Sequence, residues 1–208
     1  MENIYESDAN KNPFLRPEIT DSPLTSLGRD QCLEKRGLAA SLSPELVVVS
    51  PLHRAMQTAQ LTFGDFSGKV PFVAHDLCRE ELGLLVCNKR RPLSETAREF
   101  PYVDFSLISA EEDNLWDPKG RESPVDKSQR VYKFLSEFIR NREEKEIVIV
   151  GHSAWFFNMM NTVVDCGHNS ELSSWFGTSE IRSVVLSFSQ SDTTNQSGNN
   201  QNNNASKK

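Results

Sequence analysis

The chain has 208 residues and a formal net charge of −6 with no long block of one sign, so its electrostatics give no case for nucleic acid or an anionic membrane as main partner. Hydrophobic residues make up 37%, and no apolar run approaches the roughly 18 residues that span a bilayer. Cys32, Cys78, Cys87 and Cys166 lack any C-x-x-C pairing and read as free thiols in a reducing compartment, while the first residues carry neither a secretory nor a transit pattern; the expectation is a cytoplasmic protein.

In chain order, "SPLTSLGRDQCLEKRGLAASL" predicts a helix capped by Thr25, with Leu27, Cys32 and Leu38 among its apolar positions. "ELVVVS" is a short, β-branched apolar run of the kind covered on both faces of a parallel sheet. "RAMQTAQLTF" reads as a second helix and "VPFVAH" as a second strand. The stretch from Leu82 to Asp117, punctuated by proline, reads as irregular and suited to the wall or lid of a cleft.

Ser123, Pro124 and Asp126 then form a helix-start signature, followed by a core face of Val131, Phe134, Leu135, Phe138 and Ile139. "EIVIVGHSAWFFNMM" gives a buried strand over Ile147–Val150, a Gly-His-Ser corner and another helix. "EIRSVVLSF" predicts a closing strand. Residues 1–188 thus read as one α/β domain, and 189–208, polar and rich in Asn and Ser, as a disordered tail.

Two strand ends deliver polar groups where a helix begins: "VVVSPLHR" offers Arg54, and "VIVGHS" offers His152 and Ser153. Helix N-termini favour anions, and a guanidinium beside them suits phosphoryl oxygens. "HDLCREELG" adds Glu80 and Glu81, either of which could protonate a leaving alcohol; spacing does not choose between them. Each residue alone has an ordinary reading as a surface or loop-bonding group. Together, on one edge of a parallel sheet, they read as an anion site.

"VVVSPLHRAMQTA" resembles the second signature of the histidine phosphatase superfamily, the phosphoglycerate-mutase-like proteins. "VIVGHS" is similar to the strand bearing that family's second active-site histidine, and "PLTSLGRDQC" to its opening helix. The run "LCREELGLLVCNKRRPLSETAREFPYVDFSLI" with "EEDNLWDP" resembles a plant and algal branch. The resemblance implies a three-layer sandwich with a mostly parallel sheet, no metal or organic cofactor, and a small phosphorylated molecule as ligand, while oligomeric state stays open. Carried over, Arg54 would clamp phosphate, His152 would be the second histidine with Ser153 beside it, and Glu80, after Cys-Arg, would be the acid.

The family's nucleophilic histidine sits in an Arg-His-Gly motif on a first strand, and this sequence contains neither that motif nor that strand. His53, His75 and His168 do not stand in its place. "MENIYES" is similar to the continuation past Arg-His-Gly, which would make Asn3 a phosphate-binding asparagine and place the missing strand immediately upstream. The resulting expectation is a phosphatase working through a phosphohistidine, inactive as this 208-residue chain. The alternatives are a non-catalytic protein that binds a phosphorylated ligand or a partner, and a phosphoglycerate mutase. Lys89, Arg90 and Arg91 read either as contacts for an anionic substrate or as a solvated basic turn.

Overall fold

A computed structural model describes residues 11–189. Its centre is set by the apolar runs. Leu46–Val49 (β1), Phe72–Ala74 (β2), Val103–Asp104 (β3) and Ile147–Val150 (β4) form one sheet in the order β3-β2-β1-β4. Every pairing is parallel, with Val47 opposite Phe72 on one side and Val148 on the other.

Successive side chains of a strand point to opposite faces, and β1 divides its residues accordingly. Val47 and Val49 join Ala55, Met56, Ala59 and Phe63 of His53–Phe63 (α2), with Ala39 of Ser26–Ala39 (α1). Leu46 and Val48 join Val131, Phe134, Leu135, Trp155 and Met159 beyond the other face. Those residues come from Pro124–Lys133 (α4), its continuation to Asn141, and Ser153–Asn158 (α5). Two cores on either side of one sheet make the three-layer α/β sandwich that was expected.

The helix starts follow their caps. Thr25 Oγ1 accepts from Gly28 N at 3.1 Å, and Ser123 Oγ accepts from Asp126 N at 3.1 Å while donating to that aspartate's carboxylate at 2.7 Å. On α1, however, Cys32 is buried whereas Leu27 and Leu38 are exposed: the face turned inward is built from Gly28, Cys32 and Ala39, which let α1 lie close to α2. The expected core face of α4 is inward, with Val131, Phe134, Leu135 and Ile139 buried and Phe138 packed beside them.

Two expectations are corrected. Within Leu82–Asp117 the chain forms a helix, Leu93–Glu99 (α3), and β3. Only Thr96 of α3 is fully buried, so a seven-residue helix left too faint a stripe to stand out from irregular chain. The second correction is "EIRSVVLSF", which forms no strand. Ile181 packs on one core and Leu186 on the other, while Val185 is 98% exposed. Apolar, β-branched residues favour a ladder only where a neighbouring backbone completes it; among the described residues none pairs with this segment.

The sheet places the site. From β1 the chain crosses to β2 on one side, and β4 lies on the other side of β1. Ligands of open α/β sheets bind at such a reversal, beyond the C-terminal strand ends. The outer edge of β4 has no strand partner among the described residues.

Candidate active site

Ser50 directly follows β1, and His152 comes one residue beyond the end of β4, where Val49 lies opposite Val150. His152 is buried, and its Nε2 lies 2.8 Å from Ser50 Oγ. Burial drives the imidazole's pKa well below its ordinary value, and the positive charges of Arg54, Arg130 and Arg79 push the same way. His152 is therefore neutral near pH 7.

Arg54 stands in the first turn of α2, where the strand-to-helix corner turns it toward the Glu80–Asn88 segment. Its Nη1 donates to the carbonyl of Cys87 at 2.8 Å and its Nη2 to Asn88 Oδ1 at 3.0 Å. Both acceptors are neutral, so the guanidinium's charge is not matched by a carboxylate among its hydrogen-bond partners. That charge acts on His152 and on Glu80 alike.

The two adjacent glutamates are separated by their surroundings. Desolvation raises the pKa of Glu80, against the opposing pull of Arg54 and the backbone N–H of Glu81. Glu81 is also desolvated, yet bonds from Arg121 and Lys127 hold its pKa below the ordinary range; its Oε2 accepts from Lys127 Nζ at 2.6 Å. Glu81 is thus an ionised structural partner, while Glu80 keeps a carboxyl able to carry a proton.

The polypeptide around Glu80 is held by two buried arginines. Arg130 donates to the carbonyls of Leu77, Arg79 and Glu80 and forms a two-point pair with Glu122. Arg79 pairs with Asp113, at 2.8 and 2.5 Å, and donates to the carbonyl of Asn88. Arg90 is buried too, spent on the carbonyls of Arg91, Ala110, Glu111 and Glu112. Arg91 meets Asp21 and Glu99. Of the basic triplet, Arg90 and Arg91 therefore build the wall, and Lys89 lies over the Trp116 ring.

Of the three expected residues, Arg54 is the one whose charge bears on both of the others, His152 and Glu80. Ser153 opens α5 as an exposed residue, and Asn3 lies outside the described residues. The N-terminus of α2 is not open to a ligand in the way its sequence suggested, because Asp21 reaches across and accepts from His53 N at 2.7 Å. Sequence reasoning missed Ser50, Asn88, Arg130 and Asp21. Ser50 was findable, since it follows β1 on the same edge as His152. Asn88 and Arg130 act through contacts across 34 and about 50 residues of chain, which no local pattern announces. Among the described residues no group of three or more His, Cys, Asp or Glu could hold a metal ion, and no helix is long and apolar enough to cross a membrane.

Residues 6–200 match the profile of the Histidine phosphatase superfamily (branch 1). This chain belongs to that superfamily. It is 34% identical over 218 residues to Phosphoglycerate mutase-like protein 1 of Arabidopsis thaliana, across 88% of this chain and 77% of that protein. A second phosphoglycerate mutase-like protein of the same plant is 35% identical over 199 residues, across 80% of this chain and 73% of its own length. A solved structure of mycobacterial glucosyl-3-phosphoglycerate phosphatase aligns at 24% identity with a TM-score of 0.44, covering 67% of each chain.

Proposed function

We propose that this chain binds the phosphoryl group of a small phosphomonoester through Arg54, with His152 and Glu80 completing the site. Superfamily membership supports hydrolysis through a phosphohistidine as the chemistry of the complete site. In that scheme Arg54 and His152 hold the oxygens, Ser153 and Asn3 flank them, and Glu80 gives its proton to the departing alcohol. The observation that carries the reading is Arg54: a cation on neutral acceptors, beside a neutral imidazole and a carboxyl of raised pKa, suits a dianion and a proton donor together.

In that scheme the attack on phosphorus comes from a second imidazole. His53 is bonded to Glu99, His75 is wedged edge-on against Phe134 and Phe138, and His168 lies in an exposed loop. This chain by itself is therefore expected to hold phosphate without turning it over. The edge of β4, without a strand partner among the described residues, supports a companion reading, in which a strand carrying a histidine pairs there and completes a phosphatase. Calorimetric titration of the purified chain with phosphate, beside an aryl phosphate assay, tests the proposal. Saturable binding that weakens about tenfold or more in Arg54→Ala, with no hydrolysis, is expected. Equal binding by Arg54→Ala would overturn it.

A further inference from the structure

We propose that Asn88 is the positioning residue of the phosphate clamp, and that its being an amide rather than a carboxylate leaves the charge of Arg54 free for the ligand. The inference rests on the phosphate-site reading above and adds a residue to it.

Asn88 is 4% exposed, and both sides of its amide are used. Oδ1 accepts from Arg54 Nη2 at 3.0 Å, and Nδ2 donates to the carbonyl of Glu81 at 2.8 Å. Its own backbone is fixed as well: its N–H donates to Leu85 O at 3.0 Å, and its carbonyl accepts from Arg79 Nη2 at 2.8 Å. Arg79 is in turn locked to Asp113. A chain of bonds therefore runs from the buried Arg79–Asp113 pair through Asn88 to the guanidinium on one side and, on the other, to the backbone of Glu81, the residue next to the acid. The clamp and the acid are set relative to each other through one side chain.

The chemistry of the amide matters in two ways. A guanidinium has five N–H donors; the two bonds to Cys87 and Asn88 fix its plane and leave the others for phosphoryl oxygens. A carboxylate at position 88 would keep the bond to Arg54, yet its negative charge would neutralise the cation in advance and repel an entering dianion. It would also face the carbonyl of Glu81 with no hydrogen to give. An alanine would keep the charge free and lose the orientation.

The test uses Asn88→Asp and Asn88→Ala in the full 208-residue chain, titrated with inorganic phosphate and with sulfate, and thermal unfolding to confirm that each variant folds. Resonances of the Arg54 side-chain N–H groups give a readout that general destabilisation does not move. Both variants should bind at least about tenfold more weakly. The separate Nη signals expected of a held guanidinium should collapse to an averaged line in Asn88→Ala, with the backbone spectrum unchanged. If the parent chain binds phosphate through Arg54 and Asn88→Asp binds as tightly, the role of Asn88 is overturned and the site stands. If the parent chain shows no binding that Arg54→Ala diminishes, both fall.

Discussion

His152 Nε2 and Ser50 Oγ, 102 residues apart in sequence, meet at 2.8 Å beyond the ends of two neighbouring parallel strands. The contact fixes which way the imidazole faces and is buried, so it operates away from competing water. Replacing Ser50 by alanine removes one neutral hydrogen bond worth about 1 kcal/mol. Phosphate affinity of Ser50→Ala should fall roughly 2- to 10-fold, measured by calorimetry, with the unfolding midpoint lowered by only about 2–4 °C.

Ligand binding should take up a proton. In the empty site, burial and three arginines hold the His152 pKa far down; an anion beside the ring raises it. A proton bound more tightly in the complex than in the free protein makes affinity greater at low pH and lets it fall as pH rises through the pKa of the complex. Sulfate, whose charge is constant from pH 5 to 8, isolates the effect. As pH rises through the pKa of the complex, sulfate affinity should decline for the parent chain; His152→Asn should make the profile shallower, leaving only the part that Glu80 contributes.

The wall of the cleft depends on an ion pair. The side chains of Arg79 and Asp113 are 1% and 0% exposed, and Asp113 also accepts from the backbone N–H groups of Arg90, Leu115 and Trp116. Breaking one partner of a buried pair strands the other charge and costs about 3–5 kcal/mol. Asp113→Asn should lose stability of that order in urea unfolding, and proteases should cut first between Leu82 and Asp117.

Acid should weaken the fold through His75. Its pKa is lowered to about 4, by burial first and by Lys133 second, and its Nδ1 accepts from Leu77 N at 3.1 Å. The unfolded chain binds the proton near pH 6.5 and the folded one near 4, so the stabilisation is complete above 6.5 and is lost as pH falls between those values. Allowing for partial exposure, the loss amounts to about 2–3 kcal/mol. Urea midpoints between pH 7.5 and 4 should show it, and the slope should shrink in His75→Asn.

Where local chemistry decides structure, the amino-acid sequence was readable. The Ser123–Pro124–Asp126 start, the four-residue strands at Leu46 and Ile147, and the corners holding Arg54 and His152 lie where pattern and capping put them. Where structure depends on distant partners it was not. The closing segment has the composition of a strand and lacks a neighbour, and α3 is too short to leave a periodic mark. The polar scaffold of Arg79, Asn88, Asp113 and Arg130 binds carbonyls and carboxylates up to 53 residues away. The family resemblance had already favoured Glu80 over its neighbour; the physical reason needed coordinates, because it is Lys127 and Arg121, from another part of the chain, that claim Glu81.

The outer flank of β4, unpaired among the described residues, has a practical consequence. Ile147, Val148, Ile149 and Val150 are uncharged, and the first three are only half-covered. Lysine and proline are the residues that ordinarily keep a strand's margin from recruiting another chain, and none interrupts this one. Purified at high concentration, the polypeptide is expected to stick to itself along that rim, so dilute samples and a check for self-association belong in every titration described above.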